Sequence, residues 1–277
     1  MMRKTVQKKS SKTSLEKIKD IKLSIQFSLD GFSFCISDLE SDENLFFTEY
    51  FFNGALNSPV DLLNKIKTIF KEDANLQLEY TKVEAIHQNN LSTLVPNAYF
   101  DENTLNAYLK HNIKTLKNDF ITFDDFNNLD AKNVYVPFVN INNYLFQNFG
   151  EFEFNHHLTL LIDKLLILPS SDEKVMYINV AKNSFDIIIL EDKKLILSNS
   201  FSYTSKEDFI YYVLFIAEQI QLNTEEFKLY LLGEINETSE IYKIAYKYIK
   251  NISFLESKNA IFKDLEAPNH ANFILLG

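Results

Sequence analysis

Residues 175–203 read Val-Met-Tyr-Ile-Asn-Val-Ala-Lys-Asn-Ser-Phe-Asp-Ile-Ile-Ile-Leu-Glu-Asp-Lys-Lys-Leu-Ile-Leu-Ser-Asn-Ser-Phe-Ser-Tyr. Short apolar runs rich in Ile, Val and Phe are broken at Lys182-Asn183 and again at Asp192-Lys193, which predicts three strands joined by two tight turns. Ser205 then caps a helix whose apolar positions are Phe209, Ile210, Val213, Leu214, Ala217 and Ile220. A strand over Leu229–Leu232 ends at Gly233, a helix follows over Ile241–Ile249, and Ile252–Leu255 is a last short strand.

The same order is readable earlier. Leu23 to Leu29 alternates apolar and polar residues, Asp30-Gly31 is a hairpin signal in which glycine would supply a positive φ, and strands follow over Phe32–Asp38 and Leu45–Phe52. Ser58-Pro59 opens a helix carrying Leu62, Leu63, Ile66, Ile69 and Phe70, and a fourth strand is expected within Leu76–Ile86. Leu94-Val95-Pro96 precedes a helix near Glu102–Leu109 and a polar stretch, Asp119 to Asp130, read as strand and loop. Then come a strand (Val134–Val139), a helix (Ile141–Phe149) and an edge strand (Glu151–Phe154). A helix from about Asn155 to Leu168 stops before Pro169 and leads into the second half.

Side by side, the halves share strand, strand, strand, helix, strand, helix, strand. Gly31-Phe32 and Ser184-Phe185 lie 153 residues apart, and Asp61-Leu62 and Asp208-Phe209 lie 147 apart. The expectation is an α/β chain of two lobes, 21–168 and 169–277, each a mixed sheet of about five strands flanked by helices. Residues 1–20 are expected to be a disordered basic leader.

The totals exclude several classes. Of the net charge of −10, residues 1–22 hold eight Lys or Arg against Glu16 and Asp20, so the remainder is strongly acidic and unsuited to phosphate backbones. The most apolar span, Leu158–Leu168, is cut by Asp163-Lys164, so neither a membrane span nor a signal core is expected. The one cysteine, Cys35, rules out an intramolecular disulfide and reads as a buried thiol, which suits the cytoplasm. There are five glycines in 277 residues, no two close together, so neither a P-loop nor a G-x-G-x-x-G turn exists.

The duplicated order resembles the actin-like superfamily, the ribonuclease H-like fold of sugar kinases, large heat-shock chaperones, actin and the actin-like proteins of type IV pilus assembly. The opening strands, Leu94-Val95-Pro96 with Phe100, and the second meander resemble a bacterial family known only as a domain of unknown function. The superfamily resemblance implies a nucleotide cleft between the lobes, with the first turn of each half on phosphate and a Gly-Gly pair on adenosine. Here the first turn keeps Asp30 and Gly31, the second offers Lys182 and Asn183 without glycine, and the third is Gly233-Glu234. A carboxylate beside a triphosphate is unfavourable. Asp30-Gly31 also reads as a plain hairpin, Gly233 as a strand-end turn, and Lys182 as an exposed turn lysine.

Two functions follow from the resemblance. One is a non-catalytic actin-like adaptor with degenerate loops, no cofactor and an unidentified protein partner. The other is a protein binding Mg-ATP, or a slow ATPase, through Asp30, Lys182 and Gly233. No metal-ligand spacing is present. His156-His157 reads as a helix start or surface pair, and Asp124-Asp125, Glu225-Glu226 and Glu151/Glu153 as solvated charges. With 25 Phe and 14 Tyr and no Trp, most rings are assigned to the core and the excess to a protein interface.

Overall fold

The chain forms two lobes on one strand plan. The computed structural model describes residues 2–7, 20–54, 56–110, 113, 119–169, 171–263, 265 and 267–277. The first lobe contains β1 (Met2–Gln7), β2 (Ile21–Phe27), β3 (Gly31–Asp38), β4 (Asn44–Phe52), α1 (Pro59–Glu72), β5 (Lys82–His87), β6 (Ser92–Pro96), α2 (Leu105–Leu109), β7 (Thr122–Asp125), β8 (Ala131–Tyr135), α3 (Val139–Phe149) and β9 (Glu153–His156). Helix α4 (His157–Leu166) leads to β10 (Val175–Val180), β11 (Ser184–Glu191), β12 (Lys194–Ser202), α5 (Lys206–Gln219), β13 (Lys228–Gly233), α6 (Glu240–Tyr248), β14 (Asn251–Phe254) and α7 (Phe273–Leu276).

The sheets run β1-β4-β3-β2-β5-β9 and β12-β11-β10-β13-β14. Leaving β1 aside, the orders coincide: an antiparallel meander whose first strand pairs in parallel with the strand after the helix. The 153-residue offset between the turns falls to 98 between β9 and β14 because the first lobe inserts the small sheet β6-β8-β7 between β5 and α3.

Local chemistry sets these elements. Ser58 and Ser205 accept hydrogen bonds from the backbone of Asp61 and Asp208, closing the first turns of α1 and α5. Asp192 and Lys193 both take positive φ, as the two-residue turn between β11 and β12 requires. In β10, Met176, Ile178 and Val180 face α5, while Val175 and Tyr177 face α4 and α7. The α4 core also takes Ile86 of the first lobe and Ile188 and Leu232 of the second, so apolar packing welds the lobes together.

Three expectations are corrected. Within the expected leader, Met2–Gln7 is a strand, antiparallel to β4, and edge strands tolerate the charged residues that had suggested disorder; residues 8–19 lie outside the described residues. Gly31 does not take positive φ; Ser28 Oγ accepts from the backbone N–H groups of Asp30 and Gly31, and a Cβ there would sit 3.0 Å from the Tyr50 carbonyl oxygen, a close contact that glycine avoids. Residues 261–276, read with the second lobe, pack Ile261, Phe262, Leu265 and Leu276 on Cys35 and Phe47 of the first. Cys35 is buried, and burial pushes its thiol up to about 12. Among the described residues no helix is long and apolar enough to cross a membrane.

Gly233 has a positive φ of 88°, and a Cβ there would lie 2.2 Å from the Val180 carbonyl oxygen, whereas Gly54 at φ 79° has open space. Gly233→Ala is expected to cost about 3 kcal/mol and Gly54→Ala about 1. Chemical denaturation of both variants checks this, and equal losses would contradict the crowding at Gly233.

Candidate functional site

The site is built on the ends of strands. β2 and β3 meet in the turn Ser28–Gly31, and β10 and β11 meet in Ala181–Ser184. The parallel pairing of β13 with β10 brings Gly233 beside Val180. All three turns converge on the seam between the lobes.

There the first two turns bond to each other. Asn183 Nδ2 donates to Asp30 Oδ1 at 3.0 Å, and Lys182 Nζ donates to the Phe52 carbonyl at 3.2 Å. Burial raises the Asp30 carboxyl, while Lys182 and Asn183 pull it down, and burial prevails. At the third turn Gly233 N donates to the His270 carbonyl and Glu234 N to the Val180 carbonyl. His270 Nε2 lies 2.6 Å from the Ile235 carbonyl oxygen, so the C-terminal segment is fastened across this turn.

A cavity of about 340 Å³ lies under the turns. Gly31, Gly233 and Glu234 line it, with Gln26, Ser33, Glu49, Gln88, Asn179, Asn236 and Asn272, and none of the described lining residues is basic. Glu49 reaches in from β4 and Glu234 from the far lobe. Burial first, then repulsion between these two acids, pushes Glu49 up to about 7. Glu234 is exposed on the cleft wall; the desolvation by the protein around it, then Asp30, push it up to about 7 against the pull of Lys182.

A second cavity of about 210 Å³ holds Asp30 and Asn183, with Ser28 and Gln88 common to both cavities. It also reaches His157 and Asp186. His157 Nε2 and Asp186 Oδ2 are 3.0 Å apart, and Asn179 Nδ2 and Ser200 Oγ donate to the same carboxylate. Burial would raise Asp186, but these partners together outweigh it and hold the carboxyl below its ordinary value. Of the six residues named from sequence, three line the larger cavity, two the smaller, and Lys182 is tied to Phe52.

Other expectations shift as well. His156 does start α4, its Nδ1 accepting from Leu158 N, but both histidines are buried, not at the surface. Asp124 is buried rather than solvated; it accepts from Tyr135 OH, Thr159 Oγ1 and His156 N, and burial raises its carboxyl. Among the described residues no cluster of His, Cys, Asp and Glu is arranged to hold a metal ion. The sequence reading missed Glu49, Gln88 and Asn272. Asn179 and Asp186, polar interruptions in buried strands, were its available signals.

The family described as "Protein of unknown function (DUF3822)" matches residues 10–252. A crystal structure from Bacteroides thetaiotaomicron VPI-5482, described as a protein with actin-like ATPase fold and unknown function, is 26% identical. It aligns over 88% of this chain and 94% of its own, with a TM-score of 0.79. A PilM-PilN type IV pilus biogenesis complex aligns over 88% and 89% at 13% identity, TM-score 0.55. No curated protein matches. The fold is actin-like: two lobes about a central seam.

The raised acids fix a pH dependence. Below about pH 4.5 folded and unfolded chains are both protonated at Glu234; above it the unfolded chain releases a proton that the folded chain keeps until about pH 7. Stability therefore falls as pH rises through this window, and the deficit is complete above it. Glu234→Gln is expected to melt above the parent at about pH 8 and together with it at about pH 4.5. A variant melting below the parent at the higher pH would contradict this.

Proposed function

The chain belongs to the DUF3822 family, and from the geometry of its seam we propose that it is a non-catalytic actin-like protein, an assembly or interaction adaptor that works without nucleotide. One observation carries the reading: the turns that would grip phosphate hydrogen-bond to each other through Asn183 and Asp30. Three further features support it. Ser28 Oγ already takes the turn amides of Asp30 and Gly31. The larger cavity, lined by Glu49 and Glu234 and by no basic residue among those described, offers a polyanion no counter-charge. Lys182, whose charge acts on Asp30 and Glu234, is engaged with the Phe52 carbonyl.

A protein of this fold occurs in the PilM-PilN complex, so binding another protein is within the fold's range. The single buried thiol suits action in the cytoplasm.

Calorimetry and thermal melting with Mg-ATP test the reading. A nucleotide at 100 times its dissociation constant would add about 2.7 kcal/mol of stability. The expected result is no binding heat and an unchanged melting temperature at millimolar Mg-ATP. Saturable heat with a raised melting temperature would replace the adaptor reading with a nucleotide-binding one using Asp30, Lys182 and Gly233.

A further inference from the structure

The cleft side of the first sheet carries a polar row. Across β2, β3 and β4, Gln26 lies beside Ser33, and Ser33 beside Glu49. Their neighbours along the strands, Ile25, Phe32, Phe34 and Tyr50, point the other way into the first-lobe core. Across the larger cavity stand Asn179, Glu234 and Asn236 of the second lobe, and Asn272 of the C-terminal segment closes a third side by bonding to Glu49. Glu234 and Asn236 are exposed, so this space of about 340 Å³ is reached from solvent.

Two of these groups are not used by the protein itself. Ser33 and Asn179 line the cavity and are each only 5% exposed. Asn179 gives its Nδ2 to Asp186, but its Oδ1, beside Gly233, accepts no hydrogen bond among the described residues. The Ser33 hydroxyl has no partner among them either. A polar atom on so buried a side chain ordinarily has one. Both oxygens accept hydrogen bonds, as do the carboxylates of Glu49 and Glu234.

We propose that this cavity binds a small organic cation, an alkyl amine or guanidine, whose N–H groups bond to Glu49, Glu234 and the free oxygens of Asn179 and Ser33. The lining selects this class. A divalent metal ion needs several oxygens converging on one point, and among the described residues no group of three or more His, Cys, Asp or Glu is so placed. An anion meets no counter-charge. An ammonium or guanidinium group brings donors only, which suits a wall of acceptors, and a methylene stem can lie on Phe51, Phe273 and Ile274 of the same cavity.

The charge balance agrees. Glu49 and Glu234 are both pushed up to about 7, and a bound cation would favour their ionised forms. The other titratable groups about them are Asp30, Lys182, Tyr203 and His270. Of these, Lys182 is held by the Phe52 carbonyl, and burial lowers His270, so neither supplies the missing charge in the cavity. Binding therefore releases protons and tightens as pH rises through neutrality. The inference is separate from the adaptor reading, which a failed amine titration would leave standing.

Calorimetry of the full chain with putrescine and agmatine tests it, with butanediol as the uncharged analogue and magnesium chloride as the inorganic cation. The expected result is saturable binding of at least one amine and of neither control. It should be tighter at about pH 8 than at about pH 6, with heats that vary with the buffer as protons are released. Glu49→Gln and Glu234→Gln should each weaken binding about tenfold or more, while Glu225→Gln, at an exposed position before β13, should leave it unchanged. No saturable heat from either amine, equal binding of butanediol or magnesium, or affinity indifferent to both cavity substitutions would each overturn the proposal. The pH dependence is read on the unaltered chain, and its absence would overturn the proposal as well.

Discussion

Asp30 and Asn183 hold equivalent places in a duplicated fold, 153 residues apart, and they hydrogen-bond to each other across the seam. Each also uses its carbonyl in the same way, accepting from Phe52 N in one half and Tyr203 N in the other. The rest of the seam is consistent with this contact. The two cavities beside the turns adjoin at Ser28 and Gln88, which line both. The lobes are held in that relation by α4 and α7, whose apolar residues pack on both sheets. Lys164 adds to the weld by donating to the Gly277 carbonyl at 2.8 Å.

A phosphate-binding turn works by leaving several backbone N–H groups bare and close to the ligand, which glycine permits. This chain spends its few glycines otherwise. Gly31 admits the Tyr50 carbonyl of the next strand, and Gly233 admits the Val180 carbonyl of its parallel neighbour. Both serve packing of the protein against itself. The polar side chains lining the larger cavity include amides, Ser28, Ser33 and two acids that hold their protons near neutrality. The proposed adaptor role needs no more than this.

Much of the fold was legible because it rests on local rules. Ser58 and Ser205 mark helix starts, and the alternation in Leu23–Leu29 and the β-branched runs of 175–190 mark strands. The equivalence of the halves came from element order, which survives when identity is lost. The site was less legible because its residues are joined by contacts distant in sequence. Glu49 sits in an aromatic strand and gains its character from burial first and then from Glu234, against a hydrogen bond from Asn272. His157 is buried because Asp186 waits for it in another lobe, and Asp124 because Tyr135 and Thr159 do. Local pattern assigns such residues to the surface, since burial of a polar group depends on a partner that the pattern does not reveal. The C-terminal segment was missed for the opposite reason: it is irregular, and only its apolar residues on Cys35 and Phe47 give it a place.

A double-mutant cycle on Asp30→Ala and Asn183→Ala, read by denaturant unfolding, measures the seam contact itself. A favourable coupling of about 0.5 to 1 kcal/mol is the predicted result, in line with a solvent-exposed hydrogen bond between the two turns. Strict additivity of the two substitutions would mean that the turns do not hold each other, and that the seam is free to open for a ligand.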